Sequence, residues 1–211
     1  MGVSLLLALV ALVVGTTSTA AELSTGAMSN WLTFEPRRLR VYASKVLAAA
    51  AGVVPVTLVV LGLVVAGAWV IHDREGLTTG MTADHWTDAG WTAVRIVALA
   101  VVAALVGAAL GFLLRHTAAV LGLTIGYVLV EGILSGVVPR LAPWTARTNL
   151  VGWTAGGTSY STSECVTEAT GTTCELTEHA LSFGHSVVYV LVLAAVVVVV
   201  AAVVFRRRDA A

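Results

Sequence analysis

Apolar residues run along this chain in long, unbroken stretches, and short polar segments separate them. Five stretches, at about 3–20, 46–71, 93–114, 117–138 and 186–205, have the length that carries a helix through a bilayer. A hydrocarbon core about 30 Å thick takes roughly 20 residues at about 1.5 Å each. The stretch 46–71 contains no charged residue, and 186–205 contains five consecutive valines at 196–200. So much valine would favour strands in water. In lipid, however, each segment has to pair its own backbone N–H groups, and that favours helix. Continuous apolar runs without alternation also argue against a membrane β-barrel. The pattern predicts an all-α integral membrane protein, one bundle of five transmembrane helices with a single larger extracytoplasmic loop.

Composition agrees. Hydrophobic residues make up 58% and charged residues 11%, against about 25% charged in a typical soluble domain. The formal net charge of zero hides a sorting along the chain. Arg37, Arg38, Arg40 and Lys45 fall in the segment 21–45, Arg115 in the short turn before 117, and Arg206, Arg207 and Arg208 after the last stretch. These are 8 of the 12 basic residues. The segments 72–92 and 139–185 carry eight acids, together with Arg74, Arg140 and Arg147. Retention of Arg and Lys in the cytoplasm places 21–45 and the C-terminus inside and the two acidic segments outside. The expected location is the cell membrane, multi-pass.

Five spans then leave the N-terminus outside. Ser18-Thr19-Ala20 resembles the small-residue cleavage site of a secretory signal, but no positive charge precedes the first stretch. Cleavage would also strand the four basic residues of 21–45 outside. The expectation is instead a chain missing an upstream helix. Cys165 and Cys174, nine positions apart in the outer segment 139–185, fit a disulfide in an oxidising compartment. A zinc site is disfavoured by the two available thiolates and the absence of CxxC spacing.

Few residues suggest chemistry. No GxxxxGK[ST], HExxH or GxSxG pattern occurs, and Lys45 is the sole lysine. His72, Asp73, Asp84, His85 and Asp88 share an outer segment and could in principle hold a metal, but ordinary solvated polar residues explain them as well. No metal or cofactor is expected in this chain. Trp86, Trp91, Trp144 and Trp153 suit the headgroup level as anchors. Glu131 falls inside a stretch, where an acid is costly unless it faces protein, water or a partner. It could line a route, or simply pair with Arg95, which enters from the same side. Gly107/Gly111, Gly122/Gly126 and Gly132/Gly136 have the spacing that lets membrane helices approach closely, and Pro55 could bend its helix.

The segment 21–45 is the most individual. Residues 22–32 can form a short surface helix with Met28, Trp31 and Leu32 on one side, and Pro36 interrupts it. Two runs stand out: Glu22-Leu-Ser-Thr-Gly26-Ala, and Leu32-Thr33-Phe34-Glu35-Pro36-Arg37-Arg38 followed by Lys45. A third is Leu114-Arg115-His116-Thr117-Ala118, ahead of a helix bearing Glu131. In these runs the chain resembles the permease subunits of ABC-2-type exporters, especially actinobacterial ones. That family has six helices and a cytoplasmic N-terminus, so the chain departs from it by the first helix.

The resemblance implies a division of labour. The chain would be no enzyme and would form the substrate path beside a second permease subunit, while a separate cytoplasmic ATPase binds ATP. Glu22, Gly26, Glu35, Pro36, Arg37, Arg38 and Lys45 would belong to the loop that meets this ATPase. The lipid membrane would surround the assembly, with no role for nucleic acid. The alternative is an accessory or structural membrane protein without its own path.

Overall fold

In lipid a helix is the form that leaves no backbone N–H unpaired, and helices dominate this protein. The computed structural model describes residues 2–26, 37–76, 80, 82–168 and 171–207, with 163–168 and 171–175 as backbone. In chain order the elements are α1 (Gly2–Ser24), α2 (Arg38–Arg74), α3 (Ala83–Leu114), α4 (Thr117–Val137), a 3-10 helix (Pro139–Trp144), α5 (Ala146–Ala155), β1 (Gly157–Glu168), β2 (Gly171–Ser182) and α6 (Phe183–Arg207). α1, α2, α3, α4 and α6 are long and apolar enough to cross a membrane. Two begin earlier than the apolar pattern indicates, α2 at Arg38 and α3 at Ala83. Their polar first turns are helical as well. Pro55 lies inside α2, which continues through it to Arg74.

The chain divides into two compact units, 2–120 with 194–211, and 121–193. In the first, α1 packs along α3 with almost no side chain between the backbones. A Cβ on Gly15 would lie 2.2 Å from the Ala104 carbonyl oxygen, and one on Gly107 would lie 2.0 Å from that of Leu12. On Gly111 it would meet Thr19 Oγ1 at 2.1 Å. This proximity brings hydroxyls within reach of the opposite backbone. Thr16 Oγ1 donates to Gly107 O at 3.1 Å, and Thr19 Oγ1 to Ala108 O at 3.0 Å. Such bonds between membrane helices contribute about 0.6 kcal/mol each. Ala11, Val53, Ala100 and Ala104 complete a small-residue core with α2.

At one end of this unit the rings of Trp69 of α2 and Trp86 of α3 meet at a tilt, with centroids 5.4 Å apart. Thr82 N–H donates to His85 Nδ1 at 3.4 Å where α3 begins. α3 closes on Arg115, whose φ of 56° is left-handed, and whose N–H donates to Gly111 O at 2.9 Å. A two-residue connection, Arg115-His116, then leads into α4.

The second unit contains most of α4, the 3-10 helix, α5, the two strands and the first part of α6. The segment 139–185, expected to be a loop, is almost entirely regular structure. β1 and β2 pair antiparallel from Gly157↔Ser182 to Glu168↔Gly171. Threonine and other β-branched residues favour such strands, and cross-strand contacts tie the described part together. Tyr160 stacks on His179 at 5.2 Å, and Ser159 donates to Glu178 at 2.7 Å. Trp153 corrects another expectation. It is 6% exposed and buried within α5, while Trp144 is 64% exposed.

Of the glycine pairs, Gly107/Gly111 is a contact; Gly122, Gly126, Gly132 and Gly136 have open space at the Cβ position. Gly107→Ala is therefore expected to destabilise the protein by about 1–3 kcal/mol through overpacking, whereas Gly122→Ala leaves it unchanged or slightly more stable. Thermal melting of both variants in detergent checks the contrast.

Candidate functional site

Three helix ends of the first unit meet around an aromatic trio. Tyr42 of α2 lies 4.9 Å from Phe112 of α3 and 6.1 Å from Phe205 of α6, and Phe112 and Phe205 are 4.9 Å apart. The Tyr42 hydroxyl donates to the Val198 carbonyl at 2.8 Å. Arg38 and Arg40 lie within about one helical turn of Tyr42, Arg115 within one of Phe112, and Arg206 and Arg207 directly follow Phe205. The basic segments that the sequence sorted to one compartment thus sit at the same end of this unit.

The end of α1 joins them. Leu23 packs against the core that contains the trio, and Glu22 Oε1 accepts from Lys45 Nζ at 2.5 Å. Glu22 was expected in a loop with residues up to Lys45. It lies instead in the last turn of α1, and 38–45 forms the first two turns of α2. Gly26 follows with a φ of +73°. Glu35 and Pro36, with Met28, Trp31 and Leu32 of the expected surface helix, lie outside the described residues, as does Arg208.

A carboxylate in the last turn of a helix faces the negative end of its dipole, so Glu22 depends on a cation from elsewhere. Lys45 provides it. The side chains are 29% and 24% exposed, and Glu22 Oε2 is buried without a hydrogen-bond partner. Removing the lysine would leave a largely buried carboxylate uncompensated. For a pair about a quarter exposed this costs about 1–3 kcal/mol, below the value for full burial.

The second unit gathers polar groups around Glu131, which is 9% exposed. The backbone N–H of Arg147 donates to Glu131 Oε1 at 2.9 Å. Thr145 Oγ1 accepts from the Thr148 N–H at 3.4 Å in the same first turn of α5. The acid of α4 thus helps cap α5, where the positive end of that helix favours a negative charge. Asn149, fully buried, donates through Nδ2 to the Pro143 and Thr145 carbonyls, both at 2.8 Å. Tyr189 of α6 donates to the Trp144 carbonyl at 2.8 Å, and Trp144 meets His185 edge-on at 5.6 Å. A Cβ on Gly152 would lie 2.2 Å from Ser186 Oγ, so α5 and α6 approach closely there.

Beside Glu131 is an open cleft of about 150 Å³, lined by Tyr127, Val130, Leu134, Leu141, Trp144 and Thr145 as well. Sites for drug-sized ligands occupy about 300–1,000 Å³, so this cleft holds a small group at most. The polar residues near the α2–α3 connection have local partners. His72 Nδ1 lies 2.8 Å from the Ala68 carbonyl, and His85 Nδ1 lies 2.7 Å from Thr82 Oγ1. Among the described residues no three His, Cys, Asp or Glu side chains gather as metal ligands would.

The ion pair is directly testable. Glu22→Gln and Lys45→Met should each lower stability by about 1–3 kcal/mol, and the double variant Glu22→Gln/Lys45→Met should lose clearly less than the sum of the two. Melting temperatures of the parent, the two single variants and this double variant in one detergent form the required cycle; strictly additive losses would show that the contact contributes nothing. No family model, curated protein or solved structure matches this chain.

Proposed function

We propose that this chain is the transmembrane subunit of an ABC-2-type exporter, coupled to a separate ATP-hydrolysing subunit. The observation that carries the proposal is the meeting of motif residues at one helical end. Glu22 and Lys45, from the two sides of the motif, form an ion pair there. Arg37 and Arg38 stand at the start of α2, with Arg37 exposed. In this reading the Glu22–Lys45 pair ties the end of α1 to the start of α2, and the arginines there receive the ATPase. A second permease subunit completes the path, and the basic end faces the cytoplasm together with the C-terminus.

The small cleft and the engagement of Glu131 in a helix cap favour a second reading, an accessory membrane protein without its own path. Affinity purification from the native membrane separates the two. The exporter reading expects a P-loop ATPase to co-purify, and Arg37→Ala/Arg38→Ala to reduce its recovery about tenfold or more, equivalent to about 1.4 kcal/mol. Recovery of the folded chain with no ATPase would favour the accessory protein.

This orientation puts β1 and β2 outside. Their register sets Cys165 directly opposite Cys174, and directly opposed strand residues have Cα separations of about 4.5–5.5 Å, within the span a disulfide bridges. Intact-mass measurement should show the oxidised form, with both thiols alkylated only after reduction. Two thiols alkylated without reductant would contradict both the bond and the orientation.

A further inference from the structure

The end of α6 combines an exposed apolar stripe with two exposed cations. Val196, Val199, Val200 and Val203 are 55, 59, 45 and 44% exposed. Their spacing of three and four residues makes one stripe along a helix. Three and four positions beyond Val203 come Arg206 and Arg207, both exposed, in the last turn. From Val196 to Arg207 the helix rises about 16 Å, close to half of the roughly 30 Å hydrocarbon core. An acyl chain lying along the valines would therefore bring its headgroup to the two guanidinium groups.

Further positive charge belongs to the same end. Phe112, 4.9 Å from Phe205, lies one turn before Arg115. Tyr42, 6.1 Å from Phe205, stands at the start of α2 near Arg38 and Arg40. Lys45 is balanced by Glu22, so the arginines dominate the local charge among the described residues. Guanidinium groups bind phosphate oxygens in two-pronged geometry and keep their charge at every physiological pH. Basic residues at a membrane surface also select anionic over zwitterionic lipid.

We infer that α6 carries a binding site for an anionic phospholipid, with its phosphate at Arg206 and Arg207 and an acyl chain along Val203, Val200, Val199 and Val196. Arg115 adds long-range attraction from the neighbouring helix end. The inference stands apart from the exporter reading and holds for any membrane protein of this structure.

The test uses the whole chain in a neutral detergent, melted with dioleoylphosphatidylglycerol, with dioleoylphosphatidylcholine or with inorganic phosphate. The anionic lipid should raise the melting temperature by roughly 3–8 °C, and the other two additions by much less. Arg206→Gln/Arg207→Gln should abolish most of that shift, and Arg206→Lys/Arg207→Lys should retain a substantial part. Raising salt to about 0.5 M should weaken the effect, because exposed charges are screened. Equal shifts with both lipids, a comparable shift with inorganic phosphate, or an undiminished lipid shift in the glutamine variant would each overturn the site. As the substituted arginines are exposed at a helix end, the lipid-free variants should melt as the parent does.

Discussion

The α1–α3 seam rests on backbone proximity. Inside a membrane, lipid is as apolar as leucine, and burying apolar side chains gives little drive for helices to associate. Gly15, Gly107 and Gly111 answer this by having no side chain where the two backbones meet. The resulting distance lets Thr16 and Thr19 bond to carbonyls of the opposite helix. Alignment of α1 with α3 also brings Glu22 to the helical end where α2 begins. A methyl group in this seam would therefore disturb packing, interhelical hydrogen bonding and the register of a charge pair together.

Local composition sufficed to locate the helices, because a continuous apolar run in lipid leaves the backbone little choice. Residues 46–71 and 186–205 are examples. The extra turns at the starts of α2 and α3 were less accessible to such reading, since Arg38–Lys45 and Ala83–Trp91 are polar enough to resemble connectors. The hairpin was missed for a different reason. Its serines, threonines and glycines suggest a loop, but Thr162, Val166 and Thr167 pair with Thr177, Thr173 and Thr172 of a second threonine-rich run. β-branched residues in two matched runs were the available signal.

The candidate sites divide in the same way. Arg38, Arg115 and Arg206 lie in segments whose charge alone groups them in the sequence, and the first unit brings them to one end. Charge alone could not reveal Glu22 with Lys45, a contact across 23 positions that depends on how α1 and α2 are held. The surroundings of Glu131 were equally hidden. Its contact comes from the backbone of Arg147, and a main-chain N–H leaves no trace in residue identity. Trp153 likewise reads as an interfacial ring in the sequence, yet in the fold it is buried.

At 37 residues, α2 is about 55 Å long, nearly twice the thickness of a hydrocarbon core. Its two ends carry Arg38 and Trp69–Arg74, and Pro55 lies close to its midpoint. For a helix of this length, a tilt of about 10° around that midpoint corresponds to a sideways displacement of roughly 5 Å at each end.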